Sequence, residues 1–301
     1  MYKKYNIQIG HKTTNKYGDI MEVVEVLPKH RLLVKFNEND SLIKNVKLYD
    51  YVDGKCKSPS TSKIGEQYHT KQGYIVTVID YIDCRNVKIQ FNDYRHTQLI
   101  CRYDSVYNGV IENPYHKTIM GIACLGQVPN EIPRNVYEMW YSMLQRCYIR
   151  NKSTEAYKDC VVSEEWLCFE NFLKWYNDNY YECDELLTID KDILKAYNKT
   201  YCKEYCLLIP YNLNTLLKAN RLTDTLGYHV ELHHKHIYYR VTNKNFPNKR
   251  FKTAYDARQY YKNNMLTYMR NKILSYTNKI PSNVLDKILN SDYLKTFELI
   301  E

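Results

Sequence analysis

The chain has little glycine and little proline, nine and eight residues in 301. That scarcity excludes a collagenous or low-complexity polypeptide. It has no apolar run approaching the ~18 residues of a membrane span. Its first residues, MYKKYNIQIG, hold no signal-peptide core, so the expectation is a cytoplasmic protein with no membrane association. Ten cysteines include no Cys-x-x-Cys pair, which argues against a disulfide framework and for reduced, buried thiols. Zinc held by Cys147, Cys160, Cys202 and Cys206 is not expected, because their spacing is irregular. Histidine is missing from Lys117 to Tyr228, and that gap bears on catalysis.

What is present suits a folded chain. Forty-four per cent apolar residues supply a sizeable core, and 301 residues allow two or more domains. Lysine and arginine outnumber aspartate and glutamate by 43 to 34. The excess is local. Between Leu217 and Lys272 stand twelve basic residues, among them Arg221, Lys235, Arg240, Lys244, Lys249, Arg250 and Lys252. Only Asp224, Glu231 and Asp256 oppose them, so this segment carries the chain's whole surplus of nine and the remainder is neutral. Four of the nine histidines fall in the same stretch. Charge confined in this way is the footprint of a polyanion-binding module.

The N-terminal third repeats itself. A shift of 55 residues overlays Ile9-Gly10 on Ile64-Gly65, Gly18 on Gly73, and Val34–Asn37 on Ile89–Asn92. It also places Gly54 on Gly109 and Pro59 on Pro114, without a gap. Each copy holds β-branched and aromatic runs, Ile20–Val26 and Leu32–Phe36 in the first, Tyr74–Tyr81 and Val87–Phe91 in the second. Such runs between glycine turns favour strands. The expectation is two small all-β barrels, residues 1–60 and 61–116. In strand count and size they resemble the Src-homology-like or Tudor-like small barrels, whose ligands are peptides, nucleic acid or protein tails. Glycines and prolines at 113–133 predict a linker over residues 117–135.

From Val136 the period becomes helical: Met139, Trp140, Met143, Leu144 and Cys147 form one apolar stripe. The string Trp140-x-x-Met143-x-x-Arg146-Cys147, then Tyr157, Val161-Val162, Trp166 and Phe169-x-x-Phe172, resembles the helical lead-in of phage-borne HNH-type homing endonucleases. The continuation Leu187–Asp192, Tyr201, Cys206 and Ile209–Asn214 resembles their ββα-metal core, which places that domain at 136–220. The resemblance implies Asp190, Lys191 and Asn214 as catalytic positions. It also implies Asp190 and Asp192 as ligands of Mg²⁺ or Mn²⁺, if the core cuts. The family uses a histidine to activate water. Here Lys191 stands at that place, and a lysine is ordinarily protonated at neutral pH. The expected state of the core is therefore degenerate.

Residues 221–301 form the last predicted domain. Tyr228–Leu232 and Ile237–Thr242 alternate as strands, Lys249–Lys252 makes a third, and Thr253 caps a helix. Period-2 alternation sets Tyr238, Arg240 and Thr242 on one face, with Tyr239 and Val241 on the other. Gly227, Tyr239-Arg240-Val241 and Phe251-x-Thr253-x-x-x-Ala257-Arg258-x-Tyr260 resemble the ethylene-response-factor-type (APETALA-like) DNA-binding domain. That domain lays its sheet in the major groove. The resemblance implies Arg240 and Arg250 as readers, with His229, Tyr238, Lys244, Lys249 and Lys252 as further nucleic-acid contacts. The predicted architecture is α+β and multidomain, and the predicted partner is double-stranded DNA. Alternatives are an active HNH endonuclease, and a phage counter-defence or regulatory factor whose repeats bind a host or phage protein in a bacterial cytoplasm.

Overall fold

In a computed structural model the chain forms two compact units, residues 1–116 and 117–301. The structure describes residues 7–58, 63–129, 131–219, 226–234 and 236–298. Pro59, Arg221, Asp224 and Lys235 lie outside them.

The first unit is the tandem repeat. Strands β1 (Lys12–Thr14), β2 (Ile20–Leu27), β3 (Arg31–Phe36) and β4 (Asn39–Lys47) form one antiparallel meander, followed by the short helix α1 (Leu48–Val52). Strands β5 (Gln67–His69), β6 (Ile75–Asp83), β7 (Asn86–Phe91) and β8 (Gln98–Cys101), then α2 (Tyr103–Tyr107), repeat the order. The 55-residue shift holds bond by bond. Gly10 N–H donates to the Val23 carbonyl (2.7 Å) as Gly65 does to Val78 (2.8 Å). The side chains of Asn37 and Asn92 accept from Ile20 and Ile75, each at 2.9 Å. Both long second strands bulge at the same place, Val23/Glu25 and Val78/Asp80.

The described pairings make an open four-stranded sheet rather than a barrel closed by strand pairing. A backbone bond ties its two ends: Lys16 N–H to the Gly54 carbonyl (2.9 Å), and Lys71 N–H to Gly109 (2.8 Å). The cores match as well. Met21, Val23, Leu32, Val34, Phe36 and Tyr51 are buried in one copy, and Val76, Val78, Val87, Ile89, Phe91 and Val106 in the other. Each such side chain contributes about 1.5–3 kcal/mol on burial.

The second unit opens with a correction. The predicted linker is packed structure. Cys124 N–H donates to the Leu167 carbonyl (3.0 Å), and Phe169 N–H returns to Cys124 (2.9 Å). Ala123 and Cys124 are buried, with Ile119, Ile122, Leu125 and Val128 packed on the same core. At Gly126, with φ +74°, a Cβ would come within 2.7 Å of Cys168 Sγ. Glycine there answers a close approach, not a flexible tether.

Helix α3 (Arg134–Tyr148) buries Val136, Trp140, Met143, Leu144 and Cys147. Then come β9 (Val161–Val162) and α4 (Phe169–Asn179), which buries Phe169, Phe172 and Trp175. The Trp140 indole N–H reaches the Trp166 carbonyl at 2.6 Å. Strand β10 (Leu187–Asp190) precedes β11 (Thr200–Tyr201), which pairs in parallel with β9. Strand β12 (Leu207–Pro210) pairs antiparallel with β10 and leads into α5 (Tyr211–Ala219), giving a β-hairpin followed by a helix. The landmark residues Tyr201 and Cys206 are buried framework.

Strands β13 (His229–His233), β14 (His236–Val241) and β15 (Lys249–Phe251) form the predicted three-stranded sheet. Thr253 caps α6 (Ala254–Leu274) by accepting from Asp256 N–H at 3.1 Å. This helix does two jobs. Its first half packs on the sheet, while Met265, Met269 and Ile273 enter one core with Ile193, Leu207, Ile209, Leu213 and Leu217 of the hairpin module. Helices α7 (Ser282–Leu289) and α8 (Asp292–Lys295) complete that core, and the Tyr293 hydroxyl donates to the Leu217 carbonyl at 3.0 Å. Residues 136–220 and 221–301, predicted as separate domains, share this core.

Candidate nucleic-acid interface and the clefts of the hairpin module

The basic sheet has two faces of different character. His229 stands opposite Arg240, and Arg240 opposite Arg250, so three basic side chains form a row across all three strands. Val241, of opposite parity, is fully buried on the helix side. Arg240 and Arg250 are 45% and 44% exposed. Glu231, on the same face, pairs with both: its carboxylate lies 3.1 Å from Arg240 Nη1 and 2.9 Å from Arg250 Nη2. The Arg240 hydrogen bond, joined by that of Arg250, holds the Glu231 carboxyl below the usual carboxylate range. The Arg250 guanidinium also sits 5.5 Å above the Tyr238 ring.

The other predicted contacts divide. Tyr238 belongs to this face, and Lys244 and Lys252 are exposed in the segments beside it. Lys249 does not join the row. It pairs with Val241 on the opposite parity, and its ammonium lies over the rings of Phe251 (5.3 Å) and Tyr260 (5.4 Å).

Two clefts flank the β10–β12 hairpin. One, of about 360 Å³, is lined by Asp190, Lys191, Asp192, Asn198, Tyr157 and Lys199. The turn after β10 sets its chemistry. Asp190 is 3% exposed, and its Oδ1 accepts the N–H groups of Asp192 (2.7 Å) and Ile193 (3.0 Å). Lys191 is 6% exposed; its ammonium donates to Asp192 (2.7 Å) and to the Asn198 carbonyl (2.5 Å). Asn198 closes the loop by donating back to the Lys191 carbonyl at 2.9 Å.

This donor set does not fit a divalent cation. One Asp190 oxygen is held by backbone N–H groups, and Asp192 is occupied by an ammonium that would repel Mg²⁺ or Mn²⁺. Among the described residues, no group of three or more His, Cys, Asp or Glu side chains is placed to hold a metal. Lys191 spends two donors inside the loop, on Asp192 and on the Asn198 carbonyl.

Asn214 lies elsewhere. It lines the second cleft, of about 370 Å³, with Asn135, Glu138, Ser142, Arg146, Thr188 and Lys218. Its amide donates to Thr188 Oγ1 (2.9 Å), while its buried Oδ1 accepts no hydrogen bond among the described residues. Among the described residues, Ile189 and Lys218 line both clefts. Asp190 and Lys191 thus line one cleft and Asn214 its neighbour.

Sequence reasoning missed Arg146 and Lys218 as cleft residues. The signal was helical spacing: Asn135, Glu138, Met139, Ser142 and Arg146 share one side of α3. Arg146 Nη1 donates to the Tyr201 hydroxyl at 3.3 Å, which fixes it at the cleft edge. The four cysteines weighed for zinc are all buried, and burial raises the Cys147 thiol to about 12 and Cys206 well above its ordinary value. Among the described residues, no helix is long and apolar enough to cross a membrane. Compared with protein-family models, curated proteins and solved structures, the chain finds no match in any of the three.

Proposed function

We infer that this is a double-stranded DNA-binding protein of HNH homing-endonuclease type, whose C-terminal sheet grips the duplex and whose hairpin module has lost hydrolysis. The observation that carries the reading is the row His229–Arg240–Arg250, in register on the exposed face of the segment that holds the chain's entire positive surplus. Guanidinium forks bind phosphate and guanine edges bidentately. The row gives them a rigid platform, because α6 fixes the opposite face of the sheet. Glu231 holds both forks in place on the free protein and yields them to phosphate when DNA arrives.

The sealed Lys191–Asp192–Asn198 loop supports the loss of cutting. Phosphodiester hydrolysis in this family uses a histidine base and a cation site; in support, no histidine occurs from Lys117 to Tyr228, and Asp192 is already paired with Lys191. The test is a gel shift on duplex DNA over a range of salt, together with a plasmid-nicking assay in Mg²⁺ and Mn²⁺. Salt-sensitive binding without nicking supports the reading. Nicking that Asp190→Ala abolishes would overturn its catalytic half.

A further inference from the structure

Strand pairing gives the basic face of the C-terminal sheet a second end. His233 stands directly opposite His236, and His229 opposite Arg240, in one unbroken register of β13 with β14. Side chains alternate along a strand, so His229 and His233 share a face of β13, and His236 shares that face of β14 with Arg240. All three histidines are exposed. His234 belongs to the turn between the strands, where its ring lies edge-on to that of His233 at 4.2 Å and 89°. At about 3.3 Å per residue, the His233–His236 pair lies roughly 13 Å along the strands from the arginine row. The major groove of B-DNA is about as wide, roughly 12 Å.

The charge of this face can change near neutral pH. Its permanent cations are Arg240 and Arg250, and Glu231 opposes them. The hydrogen bond from Arg240, joined by that from Arg250, holds the Glu231 carboxyl below the usual carboxylate range, so it stays ionised above pH ~5. Tyr238, directly opposite Glu231, and Lys252, just past β15, are the other titratable side chains on or beside the face. Phenols and lysines ordinarily titrate near pH ~10. Imidazole is the side chain that ordinarily takes its proton between about pH 5 and 8. With the imidazoles neutral, two guanidinium groups face one carboxylate. With them charged, three further cations join the same surface.

We propose that His229, His233 and His236 are proton-dependent phosphate contacts, so that the grip of this sheet on a duplex tightens as pH falls through the imidazole range. The inference rests on the DNA-binding reading of the sheet and names its regulation. A duplex seated on the arginine row spans the length of the face, and the phosphates of the far groove wall meet His233 and His236. Phosphate favours the charged imidazole, and by reciprocity each proton taken up on binding strengthens the complex. Each added phosphate contact also releases counterions and steepens the salt dependence by about 0.9 in slope. The two arginines supply a grip that does not vary with pH, and the histidines add one that does.

The experiment uses the full chain and a fluorescent random-sequence duplex, with affinity read by anisotropy at pH ~6 and pH ~8 over a range of salt. The wild type should bind at least about tenfold more tightly at the lower pH, with a salt slope steeper by about two to three. His229→Gln/His233→Gln/His236→Gln keeps every other histidine of the chain and should hold its affinity within about threefold between the two pH values. Should that variant melt early, His233→Gln/His236→Gln takes its place and should lose about half or more of the pH response. His233→Lys/His236→Lys makes two of the charges permanent and should bind at least about fivefold more tightly than the wild type at pH ~8. A duplex left unbound at both pH values overturns the DNA reading and this proposal with it. Binding by the wild type that is equal at the two pH values, a glutamine variant that responds as the wild type does, or a lysine pair that brings no gain overturns this proposal alone.

Discussion

Arg250 lies directly opposite Arg240 across β14 and β15, and the two guanidinium groups share the carboxylate of Glu231. Two like charges in register on exposed strands repel. The carboxylate between them offsets that repulsion and sets both side chains in defined positions. Phosphate must compete with it. Glu231→Gln should therefore tighten duplex binding, by about tenfold at low salt, and steepen the salt dependence by up to about one unit of slope. Gel shifts at several salt concentrations measure both. Weaker binding by Glu231→Gln would show that the carboxylate's positioning outweighs its competition.

The same carboxylate gives a pH dependence with a definite sign. Its folded-state pKa is depressed, first by Arg240 and then by Arg250. Its contribution to stability is present above the unfolded value of ~4.3 and fades as pH falls through the folded value. Glu231→Gln should match the wild type in thermal stability only at pH values well below the folded value, and fall behind it toward neutrality. Parallel curves at all pH values would contradict the pairing.

Lys191 and Asp192 act as structure in this account. Lys191→Met leaves Asp192 and the buried Asn198 carbonyl without their donor and should cost about 3 kcal/mol in chemical denaturation. Asp190→Ala strips the acceptor from two turn N–H groups and should cost about 1–3 kcal/mol. DNA affinity should hold in both, because the basic sheet is untouched.

The repeat predicts an unequal pair of glycine substitutions. Gly54 and Gly109 correspond under the shift and share φ +64°. A Cβ at Gly54 comes no closer than 3.4 Å to Lys16 N, whereas at Gly109 it would lie 2.4 Å from the His69 carbonyl oxygen. Gly54→Ala should cost about 1 kcal/mol for its left-handed backbone. Gly109→Ala should cost about 3 kcal/mol, since the strain adds to a clash with backbone. Denaturant midpoints of the two variants decide the order.

The thiols should divide by burial. Cys84 is exposed, while Cys147 and Cys206 are buried with raised values. A thiol near 12 is thiolate in about one molecule in 10⁴ at pH 8. A thiol-reactive dye should label Cys84 on the native protein and reach Cys147 and Cys206 only in denaturant. Rapid native labelling of Cys147 would contradict the packing of α3.

Parts of this molecule were legible in sequence because the signals were local. The 55-residue shift needed no gap, and the glycines and β-branched runs marked the same turns and strands twice. Thr253 announced the start of α6, and strand parity assigned Arg240 and Val241 to opposite faces. The misreadings share one cause. Gly121, Gly126 and Pro129 signal turns but carry no information on what the turns touch, so a packed segment read as a linker. The union of α6 with the hairpin module depends on Met265 and Met269 meeting Leu213 and Leu217, contacts far apart in the chain. Spacing along the chain does not show that Arg146 and Lys218 line one cleft, because that cleft depends on the pairing of β10 with β12.

The most direct measurement of the central claim is the salt dependence of duplex DNA binding for the wild type and for Arg240→Ala/Arg250→Ala. The wild type should lose affinity steeply as salt rises. The double variant should bind at least about a hundredfold more weakly at low salt, with a slope smaller by about two, while keeping its fold by circular dichroism. Equal affinity and equal slope in the two proteins would contradict the account.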